Sequence, residues 1–223
     1  LSFFSLTLAH AEIYRGSVSA ATGGTGRAAV EAGDSGFLNP GTLAHLEGYY
    51  FNSAYSVGEM VLGIADNTPD SIVPAAMSFY RGKSLQDFRL SFANFVTQHW
   101  SVGVSGHYYQ LALPDYKNLT HSNLDIGIAY VPRQNWGFGL VFYNVLGEKK
   151  DWPETYIVTP QVGLGLNYIF KNFLHWRADI LSDRQNDFSH PILMTGLQTY
   201  LNQWVIVRFG YRDDNSLDRE FGT

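Results

Sequence analysis

The sequence predicts an all-β fold, a transmembrane antiparallel β-barrel of about twelve strands when complete, preceded by an N-terminal plug segment. Three observations support this prediction. Segments of about ten residues alternate between apolar and polar side chains, which is the length and pattern of a tilted membrane strand. The connectors between these segments alternate between short and long. Aromatic residues mark the short connectors, as expected of a girdle at a membrane interface.

The connectors divide into two sets. The short set pairs an aromatic residue with polar neighbours and comprises 98–100, 134–136, 171–173 and 202–204. The long set is polar and comprises 81–86, 113–121, 147–156 and 182–190. The alternating segments, with a twelfth that begins near residue 219, are 47–57, 59–67, 72–80, 85–96, 99–111, 122–131, 135–145, 159–170, 173–182, 190–201 and 203–212. Short turns at one end and longer loops at the other are typical of outer-membrane barrels.

The composition excludes several functional classes. The 223 residues are 45% hydrophobic, but no run of roughly 18 uncharged apolar residues predicts a transmembrane helix. The net charge of -5 and the absence of a Lys/Arg cluster argue against a nucleic-acid partner. Cysteine is absent, which excludes disulfides, thiolate catalysis and cysteine-based zinc sites. The histidines lack metal-ligand spacing, so we expect neither a metal nor another cofactor.

Charged residues within the alternating segments are predicted to face the inside of the barrel, because a charge near the bilayer midplane costs about 2–4 kcal/mol. This inward set comprises Asp87, Arg89, Asp125, Arg177, Asp179 and Arg208, accompanied by His107 and His175. One interpretation is a path for an anionic head group, whose ligand contacts would be Arg89, His107, His175, Arg177 and Arg208. The other is a set of salt bridges and hydrogen bonds that fills a narrow barrel.

Two features of the strands remain open at this level. Ser105 and His107 lie two positions apart on one predicted strand face, which suggests a hydrolase. No carboxylate or oxyanion donor is placed beside them, so we expect no enzyme. In segment 190–201 the leucines lie on one face and Ile192 and Met194 on the other, so the pattern does not orient this strand.

The N-terminal part of the chain is predicted to be separate from the barrel. Residues 1–11 form an apolar stretch ending in Ala9-His10-Ala11, which we interpret as a signal-peptide remnant; the alternative is an ordinary strand. Residues 12–45 are rich in small residues and show no alternation, so they form a hatch or plug. Residues 46–223 form the barrel, which we expect to be truncated at its C-terminus. Signal peptide and barrel together predict the outer membrane of a Gram-negative bacterium.

The prediction that residues 12–45 form a plug rests on backbone hydrogen bonding. A segment of small residues before a barrel can enter the lumen, where its backbone groups are satisfied away from lipid. The alternative is a disordered periplasmic tail. The stretch Gly23–Arg27 lacks the third glycine and the strand-to-helix context of a dinucleotide-binding loop, so nucleotide binding is excluded.

Two short motifs in this segment resemble those of a known family. Gly24-Thr25-Gly26-Arg27-Ala28, followed by Phe37-Leu38-Asn39-Pro40-Gly41-Thr42-Leu43, is similar to the N-terminal hatch of the outer-membrane long-chain fatty-acid transporter (FadL-like) family. The resemblance covers residues 16–46, and Gly41 stands where that family usually has alanine. It implies a barrel plugged by its N-terminal segment that carries hydrophobic substrates inward. The hatch and gating residues that it implies are Gly24, Gly26, Arg27, Asn39 and Pro40.

The sequence and the resemblance together predict a channel for passive uptake of hydrophobic or amphipathic, fatty-acid-like molecules. Its expected partners are outer-membrane lipid and a hydrophobic small-molecule ligand, and its oligomeric state is left open. The alternative is a structural or partner-binding barrel with a filled lumen, such as a secretion-associated scaffold. An apolar cavity continuous with a gap between strands would favour transport, whereas a fully paired polar interior would favour the scaffold.

Overall fold

The computed structural model describes residues 16–113, 119–149, 152–153, 157–183, 191–202, 204–214 and 218–222. The predicted signal-peptide remnant, residues 1–11, and residues 12–15 of the predicted hatch lie outside the described residues. Within those ranges, a segment of short helices precedes a single β-sheet.

Twelve strands of the described residues form one antiparallel sheet, in which each strand pairs with the next along the chain. They are β1 (Gly48–Ser56), β2 (Glu59–Asn67), β3 (Ala75–Arg81), β4 (Leu85–Phe95), β5 (Trp100–Leu111), β6 (Leu119–Arg133), β7 (Trp136–Tyr143), β8 (Gln161–Phe170), β9 (Leu174–Asp183), β10 (Ile192–Tyr200), β11 (Ile206–Asp214) and β12 (Asp218–Gly222). The predicted antiparallel, hairpin-connected arrangement is confirmed. Among the described residues β1 and β12 do not pair, so the sheet has two edges there.

Strands β3 and β8 are among those that begin later than the sequence pattern predicts, β3 at Ala75 and β8 at Gln161. Pro74 and Pro160 stand directly before them. A proline has no N–H group to donate to a neighbouring strand, so it is confined to strand ends, edges and bulges. The carbonyl oxygen of Pro74 still accepts a hydrogen bond from the Ala93 N–H group at 2.9 Å, so the ladder between β3 and β4 ends at this proline.

The two faces of the sheet differ in chemistry as the alternation predicts. In β4, Phe88, Leu90 and Phe92 are exposed on one face, while Asp87 and Arg89 are buried on the other. β5, β6, β7 and β9 show the same alternation of burial. We call these two surfaces the apolar face and the polar face.

Strand β10, which the sequence pattern does not orient, places its leucines on the apolar face. Leu193 and Leu197 are exposed, whereas Met194 is buried. Met194 belongs to a cluster with Val141 and Leu181 on the other face of the sheet. The polar face therefore contains an apolar patch, which is why hydrophobicity alone does not distinguish the two faces of β10.

The described part of the predicted hatch, residues 16–45, is called the hatch segment. It contains α1 (Ser17–Ala21), α2 (Ser35–Leu38) and a 3₁₀ helix (Pro40–His45). No helix within the described ranges combines the length and the apolar character that a bilayer crossing requires. Leu43 is buried in a cluster with alanines of β2, β3 and β4. The hatch segment therefore packs against the polar face.

Candidate functional site

A row of glycines on the polar face lies against the backbone of the hatch segment. A methyl group added at Gly103 would lie 2.4 Å from the carbonyl carbon of Pro40, and one at Gly139 would lie 2.0 Å from the carbonyl oxygen of Arg27. Such distances exclude any side chain, and a strand glycine often marks the close approach of another backbone. Gly163 lies against the side chain of Arg27, and the glycines that lie against the backbone are Gly103, Gly127, Gly137, Gly139, Gly165, Gly196 and Gly210. We call them the glycine groove.

The register of the strands places these glycines side by side. Three pairs are direct cross-strand partners, namely Gly103 with Gly127, Gly139 with Gly165, and Gly196 with Gly210. The glycine groove therefore crosses the sheet from β5 to β11. The hatch segment follows it in the reverse direction, because Thr22 and Gly23 contact the β10–β11 end and Pro40 contacts the β5 end.

Arg27 joins the hatch segment to β9 through Asp179. The Oδ2 atom of Asp179 accepts hydrogen bonds from the backbone N–H groups of Gly26 and Arg27, each at 2.9 Å, and from Arg27 Nη1 at 3.0 Å. Both side chains are buried, at 2% and 0% exposure. Arg27 Nη1 also donates to the carbonyl oxygen of Gly24. Three of the residues that the family resemblance implies thus form one turn bound to a single carboxylate.

Asn39 and Pro40 hold the other end of the hatch segment. Asn39 Nδ2 donates to the carbonyl oxygens of Arg27 at 2.7 Å and of Ile128 at 3.1 Å, so one amide bonds both the hatch segment and β6. Asn39 also caps the 3₁₀ helix, and Pro40 takes the first helical position, where its missing N–H group costs little.

Gly41 is the position at which this chain departs from the resembled family. A methyl group there would lie 2.9 Å from the carbonyl oxygen of Gly127 in β6. The 3₁₀ helix and β6 are thus too close for an unshifted alanine. This contact accounts physically for the glycine.

Arg89 and His107, both predicted to be inward-facing, lie in one buried charged cluster. Arg89 Nε donates to Asp87 at 2.7 Å, and Arg89 Nη1 lies 3.3 Å from Asp125 and 3.1 Å from the carbonyl oxygen of Phe37 in α2. His107 Nε2 lies 3.0 Å from the other oxygen of Asp125. Both candidate ligand contacts therefore have carboxylate partners within the chain, and Arg89 also binds the hatch segment.

The other three candidate ligand contacts lie at the opposite end of the groove. Arg177 Nη2 donates to Glu31 Oε1 of the hatch segment at 2.6 Å. Arg208 Nε donates to Gln198 at 2.8 Å, and the half-buried ring of His175 packs on Tyr200 at a centroid distance of 5.3 Å. The structure therefore separates the five candidates into two groups. Their contact with a ligand stays a prediction.

Ser105 does not bond to His107. Its hydroxyl forms a hydrogen bond with Ser91 at 2.8 Å, while His107 bonds to Asp125. The nucleophile–base contact that a hydrolase needs is thus replaced by two separate contacts. Among the described residues no group of three or more His, Asp or Glu side chains is arranged to hold a metal ion.

Two acidic residues of the hatch segment, Glu31 and Asp34, were not selected from the sequence. Asp34 is buried, and its Oδ2 atom accepts a hydrogen bond from the Ser19 N–H group at 2.8 Å. Burial raises the pKa of the Asp34 carboxyl to about 7, and the positive charge of Arg177 opposes this rise only in part. The signal that the sequence offers for Glu31 and Asp34 is an acidic residue among small residues before the first strand.

A small cavity lies between the hatch segment and the strands β6 to β9. Its volume is about 70 Å³, and Glu31, Trp136, Asn167, His175 and Arg177 are among the residues that line it. The cavity lies beside the short β6–β7 turn, because Gln134 also borders it. Two of the candidate ligand contacts therefore border one space.

Aromatic side chains form a ladder next to the short turns. Ring centroids lie 4.5 Å apart for Trp100 and Tyr130, 6.0 Å for Tyr130 and Phe138, and 4.4 Å for Trp136 and Tyr168. The ladder thus extends from β5 to β8. This is the arrangement that the aromatic short connectors predicted.

Comparisons with known proteins find likeness only among solved structures. No protein-family model and no curated protein matches the sequence. Two engineered variants of Rh. blastica porin are similar at 15% and 14% identity, with TM-scores of 0.45 and 0.44. They cover 82% and 73% of this chain and 61% and 53% of their own. A triple mutant of Rhodopseudomonas blastica porin is similar at 15% identity, with a TM-score of 0.42, over 79% of this chain and 59% of that chain. The chain thus spans little more than half the length of these porins.

Proposed function

We propose that this chain is a β-barrel channel in the outer membrane of a Gram-negative bacterium, and that the hatch segment closes it as a plug. Its cargo is a hydrophobic or amphipathic small molecule of the fatty-acid type, which passes without covalent chemistry. One observation carries the proposal. The hatch segment lies in the glycine groove on a charged, buried face, and the opposite face consists of exposed apolar side chains.

The apolar face supports the membrane location. Leu90, Val104 and Leu164 lie on three different strands and are 43%, 41% and 52% exposed. Soluble monomers rarely expose a contiguous apolar surface on this scale, whereas hydrocarbon chains match it. The aromatic ladder beside the short turns suits the membrane–water interface.

The hatch segment supports a closed state. Arg27 and Asn39 bond to strands of the polar face, so a molecule that moves along this face must displace them. The fatty-acid type of cargo is supported by the resemblance of the hatch motifs. Arginines near the hatch segment add to it, because charge-assisted hydrogen bonds from arginine suit a carboxylate.

A second candidate is a structural barrel whose lumen stays filled. The pairing of Arg27 with Asp179, and of Arg89 with Asp87 and Asp125, favours it. When one partner of a buried ion pair is removed, the other charge stays buried and unpaired, which is strongly unfavourable. Such contacts can therefore hold the plug permanently. In that case the protein transports no small molecule and serves as a structural or partner-binding barrel.

Reconstitution in liposomes and planar bilayers separates the two candidates. We would measure fatty-acid uptake and ion conductance for the native chain, for Gly139→Ala and for Gly106→Ala. Gly106 lies in β5, and a methyl group there meets no atom within 4 Å, so it is the matched control. If the chain is a channel that the hatch segment closes, Gly139→Ala should conduct more than the native chain, and Gly106→Ala should not. Folded, inserted protein that shows neither uptake nor conductance in any of the three would reject the channel and favour the scaffold.

A further inference from the structure

The side chain of Arg177 has more hydrogen-bonding capacity than its surroundings use. Arg177 is 1% exposed, and within the described part of the chain its Nη2 atom alone is bonded, to Glu31. Its Nε and Nη1 atoms are buried without a hydrogen-bond partner among the described residues. A buried guanidinium with unused N–H groups loses its hydration without full replacement, which is unfavourable. The site therefore favours an additional acceptor.

Space for that acceptor exists beside Arg177. The cavity of about 70 Å³ that it lines exceeds the volume that a single water molecule needs, on the order of 10–15 Å³ by a comparable measure. Asn167 lines the same cavity, and its buried Oδ1 atom also has no partner among the described residues. A half-turn of the Asn167 amide would present its NH₂ group as a second donor.

The charges around Arg177 favour an anion over a neutral group. Among the described residues the carboxylate bonded to Arg177 is that of Glu31, with a side chain that is 27% exposed. Asp34 also interacts electrostatically with Arg177, and its pKa of about 7 leaves it only partly ionised near neutral pH. Once Glu31 moves away, the guanidinium of Arg177 therefore borders the cavity without a bonded carboxylate among the described residues.

Glu31 and Asp179 each bond an arginine across the contact between the hatch segment and the sheet, but they differ in exposure. Asp179 is fully buried and accepts three hydrogen bonds from Gly26 and Arg27. Glu31 is partly exposed, and its side chain accepts a hydrogen bond from Arg177 Nη2. Glu31 can reach solvent when it leaves Arg177, whereas Asp179 cannot leave Arg27 in this way. The buried charge of Arg177 then needs another carboxylate as its partner.

We propose that the Arg177 cavity is a binding site for a carboxylate head group, and that Glu31 is a built-in competitor that occupies the arginine until such a ligand displaces it. This inference rests on the proposed uptake of amphipathic molecules and assigns the recognition of their acid group to Arg177. Displacement of Glu31 removes one of the ionic contacts between the hatch segment and β9. Ligand binding and loosening of the hatch segment are thereby coupled.

Propionate titration of the folded, detergent-solubilised chain tests the proposal. The chain is labelled with 5-fluorotryptophan, and the fluorine NMR signal of Trp136, which lines the cavity, is assigned by Trp136→Phe. Propionamide, a neutral molecule of the same shape, is the matched ligand control. We expect a saturable shift of the Trp136 signal with propionate only. Glu31→Gln should lower the half-saturating concentration about tenfold, as expected when a charge-assisted contact no longer competes, and Arg177→Gln should abolish saturation.

Equal shifts with propionate and propionamide on the unmodified chain would overturn the proposal, even if no variant folds. Unchanged affinity in folded Glu31→Gln would also overturn it. The measurement is independent of conductance, so the two proposals fail separately. A conducting chain without the shift loses only the carboxylate site. A non-conducting chain with the shift loses the channel and keeps the site.

Discussion

Arg27 of the hatch segment and Asp179 of β9 form a buried ion pair at 3.0 Å, and the same carboxylate oxygen also accepts both backbone N–H groups at the start of the Gly26-Arg27 turn. One atom of the sheet therefore orders both the side chain and the backbone of this part of the hatch segment. The pair lies within the glycine groove, since Gly139 and Gly165 contact the Arg27 backbone and Cβ. This relationship leads to the first prediction.

Replacement of Asp179 by alanine should destabilise the folded chain by about 3–5 kcal/mol, because it leaves the charge of Arg27 buried and unpaired. Urea unfolding in lipid vesicles measures the change, and limited proteolysis should cut the hatch segment faster. Glu47→Gln is the control, because Glu47 is exposed and surface changes stay within about 0.5 kcal/mol. A loss no greater than that of the control would contradict the importance of the pair.

The glycine groove predicts a contrast between two glycines of the same strand. Gly103→Ala in β5 should cost about 1–3 kcal/mol, the usual range for overpacking, because the methyl group meets the Pro40 backbone. Gly106→Ala should be neutral or slightly stabilising, since a methyl group there meets open space. The difference in free energy of unfolding between the two variants checks the prediction. Equal effects would mean that the hatch segment does not lie against Gly103.

Asp34 predicts a specific pH dependence of stability. Its pKa is raised by burial to about 7 in the folded chain, against about 3.9 in an unfolded one. Between these values the folded state binds more protons, so the free energy of unfolding falls as pH rises, by on the order of 4 kcal/mol in total. Stability from this source is fully present below about pH 4 and lost as pH passes about 7.

Asp34→Asn removes the titrating group and is the comparison for that prediction. The difference in free energy of unfolding between the native chain and the variant should grow in favour of the variant from about pH 4 to pH 8. Urea unfolding at a series of pH values gives this difference. A constant difference across the series would show that Asp34 does not titrate in this range.

The apolar face predicts how the chain responds to a charge. Leu90→Arg should destabilise the chain in lipid vesicles by about 2–4 kcal/mol if it lies near the bilayer midplane. Val57→Arg, in the exposed β1–β2 turn, should have little effect. Folding yield and unfolding in vesicles compare the two. If Leu90→Arg is as well tolerated as Val57→Arg, the apolar face does not contact hydrocarbon.

Much of the sheet can be predicted from the local alternation of side chains, but the orientation of β10 cannot. Asp87, Arg89 and Asp125 lie on the buried face that the period-two alternation assigned to them. β10 could not be oriented in this way, because both of its faces carry large apolar residues. Its orientation depends on the contacts of Met194 with Val141 and Leu181, which lie far apart in sequence.

In the candidate site, the motif residues could be predicted from the sequence, but their partners could not. Gly24, Gly26, Arg27, Asn39 and Pro40 were selected from motifs, and all contact either the sheet or one another. Their partners were not selected as such. Asp179 was expected only to face inward, and the roles of Glu31 and Gly127 depend on contacts across more than 80 residues of chain. A side-chain pattern contains no information about distances of that kind.

By itself, the sequence determined the strands, their antiparallel order and the separation of apolar from charged side chains, because alternation and turn chemistry act between neighbours in the chain. Only the tertiary structure decided which carboxylate bonds which arginine and why strand glycines stand at the positions they occupy. The reason is physical: a glycine in a strand records the close approach of another backbone, and that approach exists only once the hatch segment lies on the sheet.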